Sequence, residues 1–167
     1  MHKLVQAYSQ RYGIPFETLI PLMDLLVVSP GIRIEHPAIE RAKALGVEVV
    51  GEIEYAYRES TGLLLALTGT NGKTTTTALL EHVLLSAGKT AKACGNYGYP
   101  LSEVALMEPQ PEFAVLEVSS FQMETIIDFK PEVAIWLNFA PDHMDRYTKV
   151  EYDPVAEMRE IADIFIK

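Results

Sequence analysis

The sequence predicts an α/β protein built on a parallel sheet, and three observations lead there. Apolar runs at Leu63–Leu67, Phe113–Val118 and Val133–Phe139 are short and bounded by turn residues, as buried strands are. Helical or loop segments separate them, which is the alternation that yields parallel strands. Residues 25–50 show the same alternation on a smaller scale, as strand, helix and strand.

Taken in order, Lys3 to Arg11 places Leu4, Val5 and Tyr8 at helical spacing, with Gly13 able to end the helix. Ile14 to Leu22 contains Pro15 and Pro21 and is less regular. Leu25–Val28 is an apolar run that stops at Ser29-Pro30-Gly31, a strand entering a turn. His36-Pro37 opens a helix with Ile39, Ala42 and Leu45 expected inward and Gly46 closing it, and Val47–Val50 is the next strand. This β-α-β unit is Rossmann-like but partial, and no G-x-G-x-x-G precedes it. Glu52 to Thr61 is polar and charged and reads as a link to the next unit. The expected division is therefore 1–60 and 61–167.

The second unit opens on LLLALTGTNGKTTTT, residues 63–77. Here a strand runs into a turn carrying Gly69, Asn71 and Gly72, and Lys73-Thr74 starts a helical pattern through Leu80, Val83 and Leu84 to Gly88. Strand, glycine loop, Lys-Thr and helix form the layout of a phosphate-binding loop. A helix N-terminus offers unpaired N–H groups and the positive end of its dipole to an anion. A lysine there neutralises outer phosphates and a threonine hydroxyl ligates Mg2+. The general pattern wants a glycine where Leu67 stands, and the turn glycine is Gly69 instead. Further on, Thr90–Cys94 reads as a short strand, while residues 95–100 and 107–111 read as loops. From Asp153 the tail carries Val155, Met158, Ile161 and Phe165 at helical spacing, with Asp153 as N-cap and Pro154 at the first position.

Composition narrows the function classes. The chain has 167 residues, 49% hydrophobic and 22% charged, values ordinary for a globular protein with a core. A net charge of −9 argues against a general nucleic-acid or acidic-membrane surface. The single cysteine, Cys94, leaves no intramolecular disulfide and fits a reducing compartment. No apolar stretch approaches membrane-spanning length, so a cytoplasmic location without membrane insertion is expected.

In a parallel sheet ligands bind at the carboxyl ends of the strands. The Gly69 loop, Glu117-Val118-Ser119-Ser120 and Asp142-His143 all fall there. Glu117 lies inside an apolar strand, where a charge needs a partner or a metal. An oxygen ligand for Mg2+ facing the phosphate loop is the reading that supplies one. His143, beside Asp142 and Asp145, suits a second metal or a substrate phosphate. Ser119 and Ser120 are nucleophiles only with a base nearby, and the sequence does not identify one.

These residues carry a resemblance. Thr68 to Thr74, TGTNGKT, is similar to the ATP loop of the Mur ligase and folylpolyglutamate synthetase superfamily, including the missing first glycine. LEVSSFQ (116–122), DHMDRY (142–147) and GNYGYP (95–100) resemble its D-glutamate-adding branch, as do Ser29-Pro30-Gly31-Ile32 with His36-Pro37, and residues 50–54. The likeness runs from about Leu25 to Tyr147. It implies an ATP-dependent amide ligase of peptidoglycan synthesis that adds D-glutamate to UDP-N-acetylmuramoyl-L-alanine through an acyl phosphate. Carried over by motif, Gly69, Thr70, Asn71, Gly72, Lys73, Thr74 and Thr75 hold the ATP phosphates, with Lys73 on the transferred group. Thr74 and Glu117 would ligate Mg2+, His143 a second Mg2+, and Gly31, Asn96 and His143 would meet the UDP-muramoyl substrate. Lys73, Glu117 and His143 form the implied catalytic set.

The resemblance also sets expectations about extent. Residues 1–60 would be a remnant of a UDP-substrate domain and 61–167 the first part of the ATP-binding central domain, with the C-terminal domain absent and the chain an inactive monomeric piece. Family members carry a carbamylated lysine after the DHMDRY-like motif. The corresponding stretch, Tyr152 to Met158, has none, and Glu157 stands near that register. Two alternatives remain: another ligase of the superfamily, or a non-catalytic ATP-binding module.

Overall fold

The computed structural model describes residues 15–140. A helical turn α1 (Phe16–Leu19) runs into a 3-10 turn (Ile20–Leu22) and then strand β1 (Leu25–Val28). Helix α2 (Pro37–Ala44) leads to β2 (Glu48–Gly51), which pairs in parallel with β1, from Leu25 opposite Glu48 to Val28 opposite Gly51. The β-α-β unit read from the sequence is thus present. Pro37 sits in the first turn of α2, where its missing N–H costs nothing, and His36 Nδ1 accepts from Ala38 N at 3.2 Å. Ile20, Leu26, Val28, Ile39 and Ala42 close a small core. Leu45, expected inward, falls just past the helix end and is half exposed.

The larger sheet has four parallel strands in the order β4-β5-β3-β6: β3 (Leu63–Thr68), β4 (Ala91–Gly95), β5 (Phe113–Glu117) and β6 (Val133–Trp136). Helix α4 (Lys73–Ser86) connects β3 to β4, α5 (Leu101–Ala105) follows β4, and a short α6 (Ser120–Met123) follows β5. β3 and β5 lie inside the sheet, and Leu64, Leu67, Val115 and Leu116 on them are buried. With β3 central, its carboxyl end opens beside those of β5 and β6. That is where the glycine loop begins.

Two elements depart from the expectation. Residues 52–61 are not a plain link: Glu52–Glu59 form a helix, α3, whose Ile53 and Ala56 belong to the same core as Leu64, Leu101 and Leu116. Ile53, Ala56 and Tyr57 have the i, i+3, i+4 spacing of a core-facing stripe, but the surrounding charges mask it. Val133 to Phe139 is not one buried strand either. The strand stops at Trp136 and, among the described residues, forms the sheet edge, with Val133 and Trp136 45% and 46% exposed. An apolar run does not reveal whether its strand has neighbours on both sides.

Helix α4 is apolar on more than one side. Thr77 is fully buried, whereas Leu79, Val83 and Leu85 are each more than half exposed, so Val83 is not the core residue its spacing suggested. Among the described residues, no helix is long and apolar enough to cross a membrane. The expected helices at Lys3–Arg11 and from Asp153 lie outside the described residues.

Candidate functional site

The loop between β3 and α4 owes its path to two glycines with positive φ, Gly69 (+133°) and Gly72 (+85°). At Gly69 the chain passes so close to the residues after β6 that an added Cβ would lie 2.9 Å from Asn138 O and 3.2 Å from Leu137 Cβ. Gly72 caps the helix, whose first turn bond runs from Thr76 N to Gly72 O (2.9 Å). The N–H groups of Lys73, Thr74 and Thr75 therefore precede the i→i−4 ladder, at the positive end of the helix dipole. Lys73 Nζ folds back over the loop and donates to Gly69 O (2.6 Å) and Thr70 O (2.9 Å). Its ammonium is held over the cradle those N–H groups form.

Glu117 ends β5 and faces that helix start. It is 2% exposed. Its Oε2 accepts from Thr74 Oγ1 at 2.8 Å, and its Oε1 accepts from Asn96 Nδ2 at 2.9 Å. Asn96 also donates its backbone N–H to Glu117 O (2.9 Å). Gly95 makes this approach possible: its φ is +91°, and a Cβ there would lie 2.3 Å from Glu117 O. Among the described residues Glu117 forms no ion pair. A nearly buried carboxylate with neutral donors only, against a threonine hydroxyl, is a set of hard oxygens suited to Mg2+. Among the described residues there is no cluster of three His, Cys, Asp or Glu that could enclose a metal. Mg2+ fits such a half-open arrangement, because it keeps waters and takes substrate phosphates as remaining ligands.

The structure thus brings together Gly69 to Thr75, Glu117 and Asn96. Gly31 sits on a different element, in the exposed turn after β1. Beside it, Ser29, Pro30 and Ile32 line a groove whose other side includes Gly51, Glu52 and Gln122. Ser119 is tied into a capping box with Gln122, whose Oε1 accepts from Ser119 N at 2.8 Å, so it serves the start of α6. Asp142, His143, Asp145 and the stretch around Glu157 lie outside the described residues.

Two contributors escaped the sequence reading. Asn138, just past β6, bonds the Asn71 peptide with both ends of its amide. Glu54, fully buried on α3, accepts from Ile127 N, Asp128 N and Phe129 N and from Arg58 Nε. A lone Asn ending an apolar run was the available signal for the first. For the second it was an acid next to the apolar stripe of a masked helix.

Comparison with known proteins agrees with this architecture. The Mur ligase middle-domain family matches residues 67–159, and the MurD-like N-terminal-domain family matches residues 1–51. The UDP-N-acetylmuramoylalanine--D-glutamate ligase of Alkaliphilus metalliredigens is 46% identical over 134 residues, covering 80% of this chain and 30% of that protein. The enzyme of the same name from Trichormus variabilis is 43% identical over 150 residues, 88% of this chain and 32% of the relative. That from Gloeobacter violaceus is 45% identical over 148 residues, covering 88% and 33%. The chain spans about a third of the length of these curated relatives. The crystal structure of UDP-N-acetylmuramate:L-alanyl-gamma-D-glutamyl-meso-diaminopimelate ligase from Neisseria meningitides superposes with a TM-score of 0.54 over 96% of this chain and 50% of that one, at 19% identity, a likeness of fold. With a family model matching more than half of its length, and with parallel α/β sheets and a glycine loop at the strand ends, the chain belongs to the Mur ligase family.

Proposed function

We propose that this chain carries the ATP-phosphate site of a ligase that joins D-glutamate to UDP-N-acetylmuramoyl-L-alanine in peptidoglycan synthesis. Residues 1–60 would serve the UDP-substrate side and residues 61–167 the ATP side. The observation that carries the reading is the contact of Thr74 with the buried Glu117 at the start of α4. A hydroxyl, a carboxylate and a helix N-terminus converge there beside Lys73. The names and identities of the relatives support the choice of D-glutamate as acceptor.

In this reading Lys73 leaves Gly69 O and Thr70 O for the outer phosphates, and the N–H groups of Lys73 to Thr75 hold the inner ones. Thr74 and Glu117 would hold Mg2+, which supplies charge neutralisation when bound. Asn96 steadies Glu117, and Gly31 with the groove beside it faces the UDP-muramoyl substrate. His143 would act as a further metal and substrate ligand. The alanyl carboxylate takes the γ-phosphoryl group from ATP, and the amine of D-glutamate then displaces phosphate. The protein's contribution to the phosphoryl step is alignment and electrostatics.

The test is D-glutamate-dependent phosphate release with ATP, Mg2+ and UDP-N-acetylmuramoyl-L-alanine, together with Mg-ATP binding. For the 167-residue chain alone the expected result is Mg-ATP binding without release, because the groups that carry the reading among the described residues are those for phosphate and metal. Lys73→Ala should weaken binding by at least about tenfold, the weight of one charge-assisted phosphate contact. Equal affinity of the two chains defeats the proposal.

A further inference from the structure

The loop's second support comes from the residues after β6. Leu137 N donates to Thr68 O (3.0 Å), continuing the β3–β6 ladder by one step. Thr70 N then donates to Asn138 O (3.1 Å). The side chain of Asn138 takes over from there. Its Oδ1 accepts from Asn71 N (2.8 Å) and its Nδ2 donates to Asn71 O (2.8 Å), as a paired strand would. Two residues past Asn138, Ala140 bonds Thr70, whose Oγ1 donates to Ala140 O and accepts from Ala140 N, both at 2.9 Å. Trp136 Nε1 also donates to Asn138 O at 3.0 Å, fixing the turn from the strand side.

We propose that Asn138 is a positioning residue for nucleotide phosphates, acting through the Asn71 peptide. The inference rests on the phosphate-site reading above. The peptide it grips stands immediately before Gly72, the left-handed residue that turns the chain into α4. Holding the Asn71 N–H and C=O fixes the two peptide units on either side of its Cα, and so the entry of the chain into Gly72 and the first turn of α4, where the Lys73, Thr74 and Thr75 N–H groups lie. Without the grip, the loop would have to be ordered by the ligand itself, and affinity would fall by the ordering it must then supply. The amide suits the task because it offers a donor and an acceptor in one plane. Neither a carboxylate nor a hydroxyl reproduces both bonds.

The experiment follows amide hydrogen exchange at Asn71 and Mg-ATP affinity in the wild-type chain, Asn138→Ala and Asn138→Asp. Asn71 should be protected in the nucleotide-free wild type. Asn138→Ala should speed its exchange by about fivefold or more, the equilibrium weight of one hydrogen bond, and weaken Mg-ATP to a similar degree with an unchanged melting temperature. Asn138→Asp keeps the acceptor and should retain the protection. An unprotected Asn71 in the wild type, or exchange indifferent to Asn138→Ala, overturns the proposal, as does full affinity in a folded Asn138→Ala chain. If the wild type itself fails to bind Mg-ATP, the phosphate-site reading falls, and with it the role of Asn138 toward nucleotide. The exchange data then still decide whether the grip on Asn71 exists.

Discussion

Removal of the Glu54 carboxylate should be the most damaging single change to an acid in this chain. Glu54 is fully buried, and its Oε2 accepts from three successive backbone N–H groups, Ile127, Asp128 and Phe129, at 2.9, 3.0 and 3.0 Å. Its Oε1 accepts from Arg58 Nε at 3.1 Å, and Arg58 also reaches Glu48 at 2.8 Å. Glu54→Ala strands the donors together. At about 1–3 kcal/mol for each unsatisfied buried group, with part regained by water entering from the Arg58 side, the loss is on the order of 3–5 kcal/mol. Glu54→Gln keeps an acceptor for the amides and loses the charge, so about 1–2 kcal/mol is expected. The pH dependence separates the two terms. Burial alone would raise the Glu54 pKa, but the three N–H groups and Arg58 together hold it below the usual carboxylate value. The folded state therefore keeps its charge at a pH where the unfolded chain has begun to bind a proton. The contribution is fully present above the unfolded value and fades as pH falls through the lower, folded one. Urea unfolding at pH 7 and through the acid range measures both. A Glu54→Ala loss under about 1 kcal/mol, or a wild-type advantage over Glu54→Gln that persists undiminished into acid, would refute the argument.

Other outcomes follow from the same geometry. Cys94 is buried and its pKa is pushed up to about 12, by burial first and then by Glu52 and Glu81, so a thiol reagent at pH 8 should label it only as fast as the chain opens. Gly95→Ala would force a Cβ against Glu117 O in a left-handed backbone, and urea unfolding should show a loss of about 2–4 kcal/mol, with Mg-ATP affinity reduced in whatever remains folded. Glu117→Gln keeps the bulk and one acceptor oxygen, for Thr74 or Asn96, but loses the second acceptor and the charge. It should cost about 1–2 kcal/mol of stability and abolish the Mg2+ dependence of nucleotide binding, a result readable by urea unfolding and by titration with and without the metal.

How much of this was legible in the sequence depends on how far the necessary contacts reach. The glycine loop, Lys73 and Thr74 are local, and the roles proposed for them rest on a few consecutive residues. Glu117 was placed with them only because parallel strands bring their carboxyl ends together, and β5 does pair with β3. Helix α3 reads as a link because four charged residues within Glu52–Glu59 outweigh the Ile53, Ala56 and Tyr57 stripe in any local count. The edge position of β6 and the grip of Asn138 depend on strand order and register, which no periodicity encodes. Asn138 looks like the end of an apolar run until Thr68, Thr70 and Asn71 are set beside it.

The placement of acids bears on how a chain of net charge −9 could present the proposed site for a polyanion. Several of its glutamates are spent on the scaffold's own amides. Glu54 takes the N–H groups before β6, Glu52 takes Ser102 N at the start of α5, Glu81 takes Ala93 N beside β4, and Glu132 takes Leu64 N on β3. Each such bond removes a backbone donor that would otherwise compete for anions and directs the carboxylate's field into the fold. At the glycine loop the pattern reverses. The amides of Lys73 to Thr75 stand ahead of the helix ladder, Lys73 folds back over the loop, and among the described residues the acid in contact, Glu117, is engaged by Thr74 and Asn96, where a divalent ion would offset it. If the proposed site binds phosphate, its affinity would be set within a few ångströms by oriented dipoles and one lysine, where screening by salt is weakest. The overall charge bears on solubility, and at this range the oriented dipoles and Lys73 would outweigh it.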